Sequence, residues 1–166
     1  ALVGGKPGDD AQVLALAAAL GQPFAVKRLG FRGLYRVPNL LAFAPFGLDR
    51  ARSDALAPPW PRLVIGVGRR AAPVARWIRR QSGGRTRLVH LGRPRAPYRW
   101  FDLIVTTPQY GVPARANVLT IPLPLGAGAS GKPSFDDLPR PRIGVLIGGA
   151  SGAWRLAEPA RLGEGL

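Results

Sequence analysis

Three short apolar runs in this chain each lead directly into a glycine-rich turn, and this pattern constrains the fold more than any other feature. The runs with their turns cover residues 2–8, 63–70 and 143–152. In an open α/β sheet the ligand crevice lies beyond the carboxyl ends of the strands, where glycine lets backbone N–H groups approach a phosphate. The pattern therefore predicts a binding edge on a parallel sheet.

Strand and helix signals alternate along the chain, as in repeated βα units. A first helix is predicted to begin at Asp9 or Asp10, either of which can cap it, and to end at Gly21. A second follows Gly68 and ends at Ser82, and its predicted apolar stripe is Ala71, Val74, Ala75 and Ile78. The predicted strands are residues 2–3, 24–29, 62–66, 86–91, 102–106 and 117–121. We expect an α/β fold, a Rossmann-like parallel sheet with helices on both faces.

The composition changes near the C-terminus of the chain. Between Leu125 and Pro141 the residues are mostly Gly, Ala, Ser, Pro and Asp, which is typical of a linker, and a new strand signal begins at Arg142. We therefore expect a Rossmann-like N-terminal domain over 1–125, a linker over 126–141 and the start of a second Rossmann-like domain over 142–166. The sequence has no methionine, so we expect it to be a segment of a longer protein.

The chain is strongly basic, with 24 Lys and Arg against 9 Asp and Glu and a net charge of +15. Arginine suits bidentate phosphate contacts, so an anionic partner is expected. The alternative is a G/C-rich genome, which would raise Arg, Ala, Gly and Pro together without fixing their positions. No cysteine is present, which excludes disulfides and thiolate metal sites. No apolar run reaches the ~20 residues of a membrane span, so we expect a cytoplasmic protein, with peripheral contact at the inner membrane face left open.

Two arginines, Arg69 and Arg70, follow Gly68 where the second helix is predicted to begin. Cations are unfavourable at the positive end of a helix dipole unless an anion joins them, and no carboxylate lies nearby in the sequence. We therefore expect Gly68, Arg69 and Arg70 to bind a phosphate group. The other two turns offer further donors, from Gly4, Gly5, Gly8, Gly148, Gly149 and Ser151. For each turn the alternative is a tight βα connection that serves only the fold.

Several segments resemble the family named after the plant mitochondrial fission protein ELM, in its bacterial members. The most specific is residues 61–76, with the motif Gly-Arg-Arg-x-Ala-Pro-Val-Ala-Arg; residues 8–12, 101–105, 117–119 and 147–151 also match. That family is similar to GT-B glycosyltransferases, in which two Rossmann-like domains face a cleft and the C-terminal domain usually holds the nucleotide-sugar. The resemblance implies that this chain is the N-terminal, acceptor-side domain with the start of its partner.

The resemblance does not supply catalytic residues. After the strand that begins near Asp102, many relatives have an acidic or histidine-containing segment, whereas this chain has Thr-Thr-Pro-Gln-Tyr at 106–110. His90, the single histidine, is predicted to be structural, and Asp9 and Asp10 are explained first by helix capping. No cluster of His, Asp and Glu has metal-ligand spacing. The catalytic residues are therefore left unknown, and neither a metal nor a cofactor is predicted.

Three functions remain open. The first is a GT-B-like glycosyltransferase, or its non-catalytic relative, that moves a sugar from a nucleotide-sugar to an anionic or lipid-linked acceptor. Its basic and aromatic segment 30–48 would touch an anionic membrane through Arg32, Tyr35, Arg36 and Phe43. The second is a nucleic-acid-binding protein, which is less favoured because no nucleic-acid motif is present. The third is a non-catalytic interaction domain.

Overall fold

The computed structural model describes residues 1–31, 47–126 and 139–141. Its elements in chain order are β1 (Leu2–Val3), α1 (Pro7–Ala19), β2 (Lys27–Arg28), β3 (Leu63–Val67), α2 (Gly68–Gln81), β4 (Arg87–Leu91), a 3-10 helix (Tyr98–Trp100), β5 (Leu103–Thr106), a second 3-10 helix (Pro108–Tyr110) and β6 (Val118–Thr120). The chain divides into two compact units, Ala1–Gly128 and Ala129–Leu166. All of the elements above belong to the first unit. The predicted second domain lies outside the described residues, so the proposed domain boundaries stay predictions.

The six strands form one sheet in the order β2-β1-β3-β4-β5-β6, and every neighbouring pair is parallel. The predicted Rossmann-like α/β fold is confirmed. The central strands β3 and β4 are rich in Val, Leu and Ile, as expected for strands covered on both faces. They pair in register from Leu63 opposite Arg87 to Val67 opposite Leu91.

The two helices cover opposite faces of this sheet. Because successive strand residues point to opposite faces, neighbours in sequence enter different cores. On the α1 face, Val3, Ile65, Leu91 and Val105 pack with Val13 and Ala17 of α1. On the α2 face, Leu2, Val64, Leu88 and Ile104 pack with Ala72, Val74, Ala75 and Ile78 of α2.

The α2 helix follows its sequence pattern closely. The predicted stripe of Ala71, Val74, Ala75 and Ile78 is buried. The helix ends at Ser82, as predicted, and the Ser82 hydroxyl donates to the Arg79 carbonyl and accepts the Thr86 N–H. This double contact fixes the turn that leads into β4.

The start of α1 corrects the predicted cap. The helix begins at Pro7, and Lys6 is the N-cap residue without a side-chain capping bond. Proline is well suited to the first helical position, because its missing N–H would have no helical partner there. Neither Asp9 nor Asp10 is the cap; both lie in the first turn. Leu20, the C-cap residue of α1, is exposed although the sequence spacing puts it on the same stripe as Val13 and Ala17.

The predicted strand over 24–29 shortens to the two residues of β2. Phe24 is exposed, and among the described residues only Leu2 and Val3 of the neighbouring β1 provide pairing partners in this region. A strand at the edge of a sheet extends only as far as its single neighbour does. The short β1 therefore limits β2.

Candidate ligand crevice at the strand switch point

The strand order reverses between β1 and β3. From β1 the chain passes outward to β2 at one edge, whereas β3, on the other side of β1, leads to β4, β5 and β6. The loops that follow β1 and β3 therefore leave the sheet toward opposite faces. Loops that diverge in this way open a crevice at the carboxyl ends of the strands. Leu2 of β1 lies opposite Gly66 of β3, so the turns at 4–8 and 68–70 open at the same edge. The fold thus brings together two of the three predicted glycine turns.

Asp10 organises the turn after β1. Its Oδ1 accepts the Gly4 N–H at 2.9 Å and its Oδ2 accepts the Gly5 N–H at 2.9 Å. The two N–H groups that were predicted to face a phosphate therefore have a carboxylate of the same chain as their acceptor. Gly8, the second residue of α1, is exposed in the first helical turn.

Asp9 reaches the other side of the crevice. A methyl group placed on Gly68 would lie 4.0 Å from Asp9 Oδ2. Gly68 has a φ of +75°, a left-handed conformation that glycine adopts without steric cost. The sequence indicated that no carboxylate competes near this helix start, but the tertiary structure supplies one from the preceding βα unit. The favourable field at the start of α2 thus acts on Asp9.

Arg69 and Arg70 are half-buried in the first turn of α2. The Arg70 guanidinium lies over the ring of Phe31, 5.2 Å from the ring centroid. A cation over an aromatic face is attracted by the ring quadrupole, which holds the guanidinium in place. Arg70 therefore connects the second helix to the chain that follows β2.

The remaining predicted site residues lie outside the described part of the chain. They are Arg32, Tyr35, Arg36 and Phe43 of the predicted membrane segment, and Gly148, Gly149 and Ser151 of the third glycine turn. Their assignment stays a prediction.

His90 lies inside the sheet on the α2 side. It is 1% exposed, and its ring packs against Phe101 with the two centroids 5.0 Å apart. Among the described residues its Nε2 has no hydrogen-bond partner. Burial lowers the pKa of His90 to about 3, because the charged ring would lose its hydration. The side chain is neutral at physiological pH and packs as a core residue.

Asp102 links β4 and α2 to the start of β5 through hydrogen bonds that its position in the sequence did not predict. Its carboxylate accepts Arg87 Nη1 at 2.7 Å, Arg79 Nη2 at 3.2 Å and the Leu88 N–H at 2.8 Å. Burial acts to raise the pKa of Asp102, but the Leu88 and Arg87 hydrogen bonds and the two arginine charges outweigh it and lower the pKa. These hydrogen bonds join residues of α2, β4 and the start of β5 that are far apart in the sequence, so only the folded structure reveals them.

Within residues 1–31, 47–126 and 139–141, no group of three or more His, Cys, Asp or Glu side chains is arranged to hold a metal ion. The helices in the same ranges are too short or too polar to cross a bilayer.

The sequence model of the family described as Mitochondrial fission ELM1 matches residues 7–162. This chain belongs to that family. The ELM1-family chain is also similar to an uncharacterized protein of Rickettsia prowazekii (strain Madrid E), RP120, with 30% identity over 102 residues. That match covers 60% of this chain and 28% of RP120, so the ELM1-family chain aligns with little more than a quarter of this relative. No solved structure matches it significantly.

Proposed function

We propose that this chain is the acceptor-side half of a GT-B-like glycosyltransferase that uses a nucleotide-sugar and an anionic or lipid-linked acceptor. Membership of the ELM1 family and the all-parallel Rossmann-like sheet are consistent with that architecture. The observation that carries the proposal is that two adjacent carboxylates at the switch point make different contacts. Asp10 holds the turn after β1, whereas Asp9 reaches the start of α2.

Sugar transfer to a hydroxyl group needs a base near the acceptor. In the proposed reaction the acceptor oxygen bonds to the anomeric carbon, and the bond from that carbon to the nucleoside diphosphate breaks. The acceptor proton passes to the carboxylate of Asp9, and the departing diphosphate keeps the bonding electron pair. Because Asp10 fixes the backbone, Asp9 need not hold the turn together and can serve as the general base.

Arg69 would contact a phosphate of the acceptor or donor at the same crevice. A hydrogen bond between a guanidinium and a phosphate contributes about 1.5–3 kcal/mol. We expect Arg69→Ala to weaken binding of a phosphate-bearing ligand by that amount in calorimetry. Arg62→Ala is the matched control, because Arg62 precedes β3 and so lies at the opposite edge of the sheet. Equal losses in the two variants would contradict a specific site.

The transferase proposal is tested with Asp9→Asn in the full-length protein. Release of nucleoside diphosphate from a panel of nucleotide-sugars is measured with an extract of anionic lipids as acceptor, and donor binding is measured separately. Because the base contributes to the chemical step, turnover should fall by about 10²- to 10⁴-fold while donor affinity changes little.

Asp54→Asn is the control for this experiment. Asp54 accepts the Arg28 N–H of β2, which lies on the opposite side of β1 from β3 and Gly68, so its replacement should leave turnover unchanged. Absence of turnover in the unmodified protein with every donor would favour the non-catalytic interaction domain. Turnover that is unchanged in Asp9→Asn would remove Asp9 from the mechanism.

A further inference from the structure

We propose that the C-terminal half of α2 and the adjoining 3-10 helix Tyr98–Trp100 form a surface that docks on anionic phospholipid membranes. We call it the arginine–tryptophan surface and define it by Arg76, Trp77, Arg80 and Arg99. Along α2, Gly68 and Arg80 are about 18 Å apart at the usual helical rise, so this surface is separate from the switch-point crevice. The inference does not depend on glycosyl transfer.

Three arginines meet at this surface, because Arg80 lies one turn of α2 after Arg76, and Arg99 directly precedes Trp100, whose ring Arg76 contacts. The Arg76 guanidinium lies 3.9 Å from the ring centroid of Trp100, which holds it against the protein. Burial first, and then the positive charges of Arg80 and Arg99, lower the pKa of Arg76. Like charges in such proximity are unfavourable in the free protein, and an anionic partner relieves the repulsion.

Arg79, next to this surface, is an example of an arginine whose charge is neutralised within the protein. Arg79, one residue before Arg80, pairs with Asp102, which also accepts Arg87. In the described part of the chain neither Arg80 nor Arg99 makes an ion pair, and both side chains are exposed. The surface therefore keeps its positive charge available to solvent.

Aromatic rings surround these arginines, but their contacts are made within the protein. The Trp60 and Trp77 rings pack edge to face with centroids 5.5 Å apart, and Arg115 lies over Tyr98 at 5.3 Å. Arg76 covers Trp100. Single-stranded nucleic acids bind through bases that stack on open aromatic faces, and an arginine already lies over one face of Trp100 and of Tyr98.

Half-buried Trp and Tyr beside arginine instead suit a membrane interface. These side chains combine an apolar body with a polar tip and are enriched at the level of lipid headgroups. Each basic residue near an anionic leaflet strengthens binding by about fivefold. Charge complementarity therefore favours a phospholipid surface as the partner, with the phosphate and carboxylate headgroups facing Arg80 and Arg99.

The test is sedimentation of the full-length protein with vesicles rich in phosphatidylserine and with neutral phosphatidylcholine vesicles. The double variant R80Q/R99Q should bind the anionic vesicles about 25-fold less tightly at low salt. The matched control, R28Q/R50Q, removes the same charge from exposed residues elsewhere. Arg28 pairs in register with Val3, which lies on the α1 face of the sheet, so this control should change binding by much less.

The outcomes separate the alternatives. Equal losses in the two double variants would overturn the proposal, since they would reflect net charge and not a surface. Tighter binding to duplex RNA than to anionic vesicles at physiological salt, weakened by R80Q/R99Q, would overturn it in favour of a nucleic-acid interface. Circular dichroism confirms that each variant is folded. No donor sugar is present, so failure here leaves the transferase proposal intact, and unchanged turnover in Asp9→Asn leaves this one intact.

Discussion

Asp9 Oδ2 lies 4.0 Å from the position that a methyl group would take on Gly68, the residue at which α2 begins. A carboxylate from the first βα unit thus meets the start of the second helix at the strand switch point. This approach places a negative charge near the end of a helix where the backbone dipole favours one.

Replacing Gly68 with alanine should destabilise the fold by about 1–2 kcal/mol, because an L-residue is strained in a left-handed conformation. The φ of Gly68 is +75°. Gly8→Ala is the control, since Gly8 lies inside α1 and a methyl group there would contact nothing within 4 Å. Alanine favours a helix over glycine, so Gly8→Ala should be neutral or slightly stabilising. Urea unfolding of both variants measures the difference, and equal midpoints would contradict the strain at Gly68.

Asp10 and Asp9 should differ in their effect on stability. Asp10→Ala leaves the N–H groups of Gly4 and Gly5 without their acceptor, so we expect a loss of about 1–2 kcal/mol in the free energy of unfolding. Asp9→Ala should cost under about 0.5 kcal/mol, the usual range for a surface substitution. Thermal unfolding distinguishes them. A larger loss for Asp9 would assign it the structural role and weaken the case for a general base.

Asp102→Ala should destabilise the protein by about 2–4 kcal/mol. The change leaves the Leu88 N–H without its acceptor and the half-buried Arg79 without its carboxylate partner, although Arg79 Nη1 still donates to the Trp100 carbonyl. Arg87→Ala removes an ion pair whose arginine side chain is 71% exposed, so its cost should stay below about 1 kcal/mol. Chemical unfolding of the two variants gives the comparison. Equal effects would mean that the exposed ion pair, and not the buried donors, accounts for the contribution of Asp102.

Acid should weaken the fold through His90. Its pKa is lowered from 6.5 to about 3, so the stability gained by burying the neutral ring is fully present above pH 6.5. That stability is lost as the pH falls toward 3, with a slope of up to about 1.4 kcal/mol per pH unit. His90→Leu removes the titrating group and should flatten the dependence. The free energy of unfolding is best compared between pH 6.5 and 5, above the usual range of carboxylates. Identical slopes for the two proteins would show that His90 is not the cause.

Local patterns in the sequence determined much of the fold. The apolar runs at residues 63–67 and 103–106 and the helical stripe from Ala71 to Ile78 lie where they were predicted, within one or two residues. Such patterns are readable because a buried strand and an amphipathic helix each impose their own spacing on the apolar residues. The ends of β2 were not readable, since they depend on the length of the neighbouring strand.

The candidate site likewise has one feature that the sequence predicted and others that only the tertiary structure showed. Glycine turns after strands predicted which edge of the sheet would bind, because the carboxyl ends of parallel strands share one edge. Only the tertiary structure decided which charges meet there. Asp9 approaches Gly68, Asp10 takes the N–H groups of Gly4 and Gly5, and Arg70 lies over Phe31. A charged side chain interacts with the groups that are closest to it in space. For residues far apart in the sequence, the order of the strands in the sheet determines which groups those are.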